Sequence, residues 1–471
     1  MKLGAQGIST STLGNYSMVV GQALRTVVVA GLLRPADFGI LNLTNVLTNF
    51  TTYVDVGTGV VGQQHASGAR GRGDQQAALE QLRAMAGARL VPALALAGLL
   101  TSGALLAWAL GQSTAAVVLG FVALAGLLQS TWFSARGWLR VTGDFRHAMV
   151  AQLSQVLVWV TLVPLAAWRF GLVGALGAMA LSYLPPVLVS APRCDVKALV
   201  TPRVGAFRAL LPAGVPVWLL LVTAFLLVNA EQLVVGATLG TTALGLYGIA
   251  MLAANAVVAL SDGAAAAAHP QTIEAYERDG RIDEMTPSVT RVMRVVEAAF
   301  AVVVPLSWLG LAVVAHLYLT DYLAALPVVA IVCAGASAVG VATASNSALL
   351  AVGLHRRLPR MTLIAIVLKV ALAWLVASQT GSTAAVAAAC LVGSFFYAAS
   401  HLRLVARALG APSWTRFVIA HLRVPLLLAL LALGSAAVEA WRGSSGFVVA
   451  ALVSLVVASL AGGSALLPAR R

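Results

Sequence analysis

Twenty-five of the thirty lysines and arginines in this chain fall in alternate gaps between its apolar stretches; the remaining gaps hold only Arg34, Arg169 and Arg442. The last two cations, Arg25 and Lys369, lie inside apolar stretches. Cytoplasmic loops of membrane proteins carry the excess of Lys and Arg. The alternation therefore predicts an even number of bilayer crossings with both termini in the cytoplasm. Composition agrees: 60% of the 471 residues are hydrophobic and 10% charged, against about a quarter charged in a soluble domain. A net charge of +14 would ordinarily point to nucleic acid. Here the cations are spread over short loops and both ends, so orientation and contact with anionic lipid account for them, and no nucleic-acid partner is expected.

A helix needs about 20 apolar residues to cross the hydrocarbon. The polar breaks leave fourteen such segments, at 9–33, 36–61, 90–110, 114–134, 148–168, 171–190, 211–237, 242–268, 295–317, 322–350, 361–378, 383–402, 423–441 and 446–467. The predicted fold class is an all-α integral membrane protein. The first stretch lacks a small-residue cleavage site and runs on into a full span, so it reads as helix 1. The gaps on the Arg-poor side are a few residues long, and those on the Arg-rich side are longer. Two of the longer ones, at Asp74–Arg83 and Pro270–Arg294, are expected to carry short surface helices.

Such short outer gaps leave no room for a folded catalytic domain, which weighs against a polysaccharide polymerase or ligase. No phosphate-cradling GxxxxGK[ST] sequence is present, so no nucleotide cofactor is expected, and transport would draw on a gradient or the membrane potential. Cys194, Cys333 and Cys390 have no metal-like spacing and are expected to remain free thiols. Gly57 and Gly59 read as helix packing and turns.

A short internal repeat is visible. Asp37-Phe38-Gly39-Ile40 leads to Asp55-Val56-Gly57, and Leu246-Tyr247-Gly248-Ile249 leads to Asp262-Gly263. Their starts are six helices apart, the spacing expected of two parallel six-helix lobes.

Leu32–Gly62 (LLRPADFGILNLTNVLTNFTTYVDVGTGVVG) and Ala243–Pro270 (ALGLYGIAMLAANAVVALSDGAAAAAHP) carry a family resemblance, joined by LTDYLAAL at Leu319–Leu326 and by LLAVG at Leu349–Gly353 with His355-Arg356-Arg357 following. Together they resemble the polysaccharide-export branch of the multidrug/oligosaccharidyl-lipid/polysaccharide (MOP) superfamily, the O-antigen-type flippases. His269 departs from the family pattern. The resemblance implies two pseudo-symmetric lobes, residues 1–209 and 210–422, around a central cavity, with two extra helices and a tail in 423–471. It also implies the bacterial inner membrane and a substrate of isoprenoid-pyrophosphate-linked glycan, flipped by alternating access for lipopolysaccharide or exopolysaccharide assembly. Membrane lipid and a polysaccharide polymerase or other assembly enzymes would be its partners.

Ionisable groups inside a membrane are costly, about 2.5–3.5 kcal/mol on insertion scales, and usually face a partner or a wet cavity. Arg25 lies roughly 13 Å, and Glu231 roughly 12 Å, from the outer ends of their segments at 1.5 Å per residue. Two readings stand. Arg25 binds pyrophosphate or sugar carboxylates with Glu231 as resting partner or coupling-ion site, or the two form a structural ion pair. Lys369 reads as a cavity-facing cation. Asp55 and Asp262 read as helix-end groups meeting nearby arginines or as coupling sites. Glu297 is expected at the interface, and Glu439 and His316 in solvent. Gln22, Asn45 and Asn49, with Asn15 and Asn42, suit either sugar hydroxyls or helix–helix hydrogen bonds. Trp108, Trp168, Trp374 and Trp441 are expected at membrane boundaries. A cation-coupled multidrug exporter of the same superfamily is the main rival; it would need an acidic cavity, against which Arg25 and Lys369 stand.

Overall fold

The computed structural model describes the backbone of residues 2–279, 282–352, 354–442 and 444–466, and side chains chiefly over 17–261, 286–346 and 357–441. Asn15, Asp262 and His269 are among the side chains outside that description. The described chain is helical with no strand: α1 (Lys2–Leu32), α2 (Pro35–Thr51), α3 (Thr58–Gly71), α4 (Gln75–Ala109), α5 (Ser113–Thr142), α6 (Phe145–Val160), α7 (Leu162–Leu181), α8 (Leu184–Ser190), α9 (Val196–Val200), α10 (Val204–Asp279), α11 (Ile282–Leu317), α12 (Leu326–Ala344), α13 (Asn346–Ala351), α14 (Leu358–Thr380), α15 (Thr383–Ala408), α16 (Trp414–Arg442) and α17 (Ser444–Leu466).

Among the described residues nine helical stretches are long and apolar enough to cross a membrane. Two of these, Phe145–Arg193 and Val204–Ala265, each hold two crossings. They are interrupted at Gly171 (φ 61°, ψ −143°) and at Gly240 (φ 87°, ψ −178°), conformations open to glycine and strained for residues with a Cβ. With α1, the α2–α3 segment and α17 the total is the fourteen that the sequence predicts. The protein is a multi-pass, all-α membrane protein.

Sequence and structure part company in three places. The second segment is not one helix. Pro35 suits the first turn of α2, but the chain leaves the helix at Thr52, and Val56 and Gly57 take positive φ, 51° and 76°. Gly57 is needed there for a second reason: a Cβ on it would lie 2.4 Å from the Gly214 carbonyl oxygen. The stretch from Asp74 is not a separate surface helix. Asp74 accepts the Ala77 amide at 2.9 Å, which caps α4, and α4 then continues unbroken to Ala109. Nor does 270–294 form a helix of its own, because α10 carries on to Asp279 and α11 begins at Ile282. The internal repeat is likewise partial: Phe38 and Tyr247 are both buried, but the break at Val56–Gly57 has no counterpart in α10.

The chain forms two compact units, Met1–Val222 and Thr223–Arg471. In the first, α4 packs on α3 and α5, and α1 on α6 and α7. Its core gathers Trp132, Tyr183 and Leu199, with Met85, Leu82 and Trp138 in a neighbouring cluster. Outside that core, Asp195 starts α9. The Ala198 amide and the Arg83 guanidinium, 2.8 Å away, hold its carboxyl below the usual carboxylate range. In the second unit α12 is almost wholly buried, enclosed by α11, α15 and α16, while α17 lies along α11. The approach of α17 is close: a Cβ on Gly462 would lie 2.5 Å from Ala301 Cβ. Trp108, Trp168, Trp374 and Trp441 are all more than half exposed, whereas Trp132 and Trp308 are buried. Amphipathic rings at helix ends are the expected belt where lipid meets water.

Candidate functional site

A cation buried in a bundle that faces lipid must be answered by an opposite charge, a dipole or a π face, since water is not available to solvate it. Lys369 and Arg25 are answered differently.

In the second unit, α14 carries Lys369 and α10 carries Glu231. Both are buried, and the Lys369 ammonium lies 2.9 Å from Glu231 Oε2. A second donor position of the same ammonium is used by the Leu227 carbonyl oxygen at 3.0 Å, one turn before Glu231 on α10. Gly393 on α15 makes the room: a Cβ there would sit 2.2 Å from Lys369 Cγ. Cys390, Met251 and Ser394 line a cavity at the pair with space of about 30 Å³. That volume has room for a water molecule and none for a sugar. The sequence reading offered Glu231 to Arg25; the structure gives it to Lys369, because α10 and α14 meet at this level within one unit.

In the first unit, Arg25 on α1 is 6% exposed. Its guanidinium stacks over the Trp159 ring of α6, 5.0 Å from the centroid. No carboxylate among the described side chains comes within ion-pair distance of it. Trp159 is itself fixed: its indole N–H donates to Ser182 Oγ at 3.0 Å. Tyr183, the next residue and an electrostatic neighbour of Arg25, accepts from Gln129 Nε2 at 3.2 Å, and Thr51 Oγ1 donates to Gln129 Oε1 at 3.0 Å. A polar network thus runs from the end of α2 through α5 to the residues around Arg25. Arg25 is thus a buried positive charge whose one described contact is a ring face.

The other residues singled out by sequence divide. Asn45 and Asn49 are half-buried on α2, and no described residue hydrogen-bonds either side chain; Gln22 is half-buried on α1. Asp55 does meet an arginine, and does so in the core. Its carboxylate accepts the Gly57 and Gly59 amides at 3.0 and 3.2 Å and lies 3.3 Å from Arg89 Nε. It holds the break between α2 and α3 together. Glu297 has a partner as well. It is 1% exposed and bonded to His421 of α16 at 2.5 Å, a pairing no sequence pattern signalled. His316 is exposed, and Glu439 is half-buried with one carboxylate oxygen enclosed and unbonded. Among the described residues no cluster of His, Cys, Asp and Glu could hold a metal ion, and the three cysteines are free thiols. Sequence reasoning also passed over Gln129, Trp159 and Gly393. Gln129 alone carried a signal, as an amide inside an apolar span.

Residues 28–325 match the model of a family described as polysaccharide biosynthesis protein. No curated protein matches the chain by sequence. Among solved structures the chain is similar to an inward-facing multidrug resistance MATE family transporter of the MOP superfamily. That match has a TM-score of 0.67 at 17% identity and covers 85% of this chain and 96% of the other. It is also similar to the lipid II flippase MurJ in an inward closed conformation, with a TM-score of 0.60 at 10% identity over 97% of this chain and 98% of that one. A MATE protein in its bent conformation gives 0.56 at 17% identity, covering 88% and 97%. The chain has the MOP-superfamily transporter fold.

Proposed function

This chain belongs to the polysaccharide biosynthesis protein family, and from that premise we propose that it is a flippase for isoprenoid-pyrophosphate-linked oligosaccharide in the cytoplasmic membrane. The observation that carries the reading is Arg25, a buried guanidinium backed by Trp159 and without a described carboxylate partner. A pyrophosphate supplies the missing negative charge, and a charge-assisted contact of that kind contributes about 1.5–3 kcal/mol. Asn45 and Asn49, polar and unbonded on α2, suit sugar hydroxyls. Lys369 enters differently. Held by Glu231 and the Leu227 carbonyl, it becomes available to an anion when Glu231 lets go, so the pair acts as a closed latch on the second unit. The lobes 1–209 and 210–422 then rock around the substrate, with the lipid tail left in the bilayer.

The multidrug-exporter reading rests on a fold that flippases and exporters have in common. A cationic drug has no described carboxylate to meet at Arg25. The deciding experiment is complementation of a flippase-null strain together with flipping of a lipid-linked glycan in proteoliposomes. Arg25→Ala lowers the rate at least about tenfold, the equivalent of 1.4 kcal/mol, and Arg25→Lys restores part of it. Wild-type flipping by Arg25→Ala removes the residue from the mechanism. Drug resistance on overexpression without glycan flipping replaces the reading with the exporter.

A further inference from the structure

We propose that the α3–α4 turn and the end of α5 form a binding site for a phosphate ester with an apolar body. That is the chemistry of an anionic phospholipid headgroup and of a soluble phosphate ester alike. A cavity with about 230 Å³ of space opens there, far more than one water needs and far more than the 30 Å³ at the Lys369–Glu231 pair. It belongs wholly to the first unit.

One wall of the cavity is a single face of α4. Gln75, Ala78, Leu79 and Leu82 line it, spaced i, i+3, i+4 and i+7 as one helical face requires. Ala78 and Leu82 are buried, whereas Leu79 is 40% exposed. The acids nearby do not compete for this wall: Glu80 falls on another face of α4, and Asp74 is engaged by the Ala77 amide at 2.9 Å. The facing wall is the last turn of α5, where Val141 adds apolar surface and Thr142 a hydroxyl. Thr142 Oγ1 donates to the Trp138 and Leu139 carbonyl oxygens at 3.0 and 3.2 Å, which leaves its oxygen as an acceptor for a ligand hydroxyl.

Arg70, at the exposed end of α3, supplies the charge. Its Nη1 donates to the Val141 carbonyl oxygen. The guanidinium also lies against Gly143, where a Cβ would sit 3.4 Å from both Nη1 and Nη2. The group is therefore positioned by α5, and no described carboxylate comes within ion-pair distance of it. Asp195 is taken by Arg83, and Asp144 by His147, each at 2.8 Å. A guanidinium has five N–H donors, of which the Val141 contact uses one. The forked edge that remains matches two oxygens of a phosphate, with the Gln75 carboxamide alongside.

Depth in the membrane fits that ligand. About 20 residues cross the hydrocarbon; counted along α4 from Trp108 they end near Ala88, on the Arg-rich side. At 1.5 Å per residue Leu82 lies roughly 9 Å, and Gln75 roughly 20 Å, past that edge. The cavity thus spans the outer headgroup layer and the water beyond it, the levels at which lipid and soluble phosphate esters occur. The site lies outside the spans and does not include Arg25, so it stands or falls separately from the flippase reading.

The test follows thermal melting of the full-length protein in neutral detergent, with dioleoylphosphatidylglycerol, dioleoylphosphatidylcholine or glycerol 3-phosphate added. Wild type is expected to gain several degrees with phosphatidylglycerol and little with zwitterionic phosphatidylcholine. Arg70→Ala is expected to need about tenfold more phosphatidylglycerol for the same gain, the loss of one charge-assisted contact. Gln75→Glu sets a carboxylate at the exposed rim and is expected to show the same loss; it takes the place of Arg70→Ala should that variant fold poorly. Arg72→Ala removes a neighbouring exposed charge that does not line the cavity, and is expected to respond as wild type does. A gain from the lipid alone assigns the site to a headgroup, and an equal gain from glycerol 3-phosphate assigns it to a soluble ester. The proposal is overturned if neither probe raises the melting temperature of wild type, or if Arg70→Ala, or Gln75→Glu in its place, responds like wild type. It is overturned too if Arg72→Ala loses as much as Arg70→Ala, since diffuse surface charge would then account for the binding.

Discussion

Lys369 in the second unit and Arg25 in the first are buried cations with different surroundings. Lys369 is saturated by this chain: a carboxylate at 2.9 Å and a carbonyl at 3.0 Å occupy its ammonium. Arg25 is given a ring face and a network of neutral groups, Trp159 braced by Ser182 and Tyr183 braced by Gln129. The two side chains suit these roles. An ammonium is a compact, strongly hydrated point charge that needs close oxygens. A guanidinium is planar and weakly hydrated, stacks on an aromatic ring and keeps its edge free for a bidentate anion. The first arrangement is complete without a ligand, and the second is not. The proposed function makes Arg25 the binding group and the Lys369 pair a strut.

The largest effect should come from splitting the complete pair. Either Glu231→Ala or Lys369→Ala strands a buried charge and is expected to cost about 3–5 kcal/mol, whereas replacing both by apolar residues of similar volume is close to neutral. Melting of the three variants in detergent reads this directly, and a single variant as stable as wild type would mean the pair is solvated after all. Arg25→Ala is the counterpart: its stability cost should stay near the ~2 kcal/mol of a desolvated cation–π contact, with the loss concentrated in transport. Gly393→Ala should cost less than splitting the pair. A new Cβ 2.2 Å from Lys369 Cγ and 3.0 Å from the Ala365 carbonyl overpacks the site, at about 1–3 kcal/mol. It should also displace Lys369 from Glu231, which cysteine cross-linking between α14 and α10 would detect.

The smallest effect sets the scale for the others. Arg83–Asp195 is an ion pair between partly exposed side chains, and such pairs contribute about 0.2–1 kcal/mol. Because the folded carboxyl titrates below its usual range, this contribution is present at neutral pH and lost as pH falls through that lowered value. Asp195→Asn should therefore narrow the gap to wild type at acid pH. A gap that widened toward acid would contradict the assignment.

Much of the fold was legible because each signal was local. Runs of apolar residues and the alternation of Arg-rich gaps each act through their own stretch of chain. The break at Val56–Gly57 was less legible, since it depends on a close approach to Gly214. At the candidate site, burial of Arg25, Glu231 and Lys369 could be read from their place inside apolar spans, but their partners could not. Glu231 and Lys369 belong to helices far apart in sequence, as do Glu297 and His421, and residue type does not say which helix faces will meet. Asp55 was anticipated as a group that finds an arginine. That the arginine would be Arg89, buried rather than lying in a loop, was not.

The sequence by itself settled that this chain crosses a membrane some fourteen times as helices, because the bilayer penalises every unpaired backbone group and every misplaced charge wherever it occurs. Tertiary structure alone decided which buried charges cancel and which stay open. That depends on the rotation and neighbours of each helix, and an apolar surface constrains those only weakly: many packings bury the same area, but only one brings Glu231 to Lys369 and leaves Arg25 with a tryptophan.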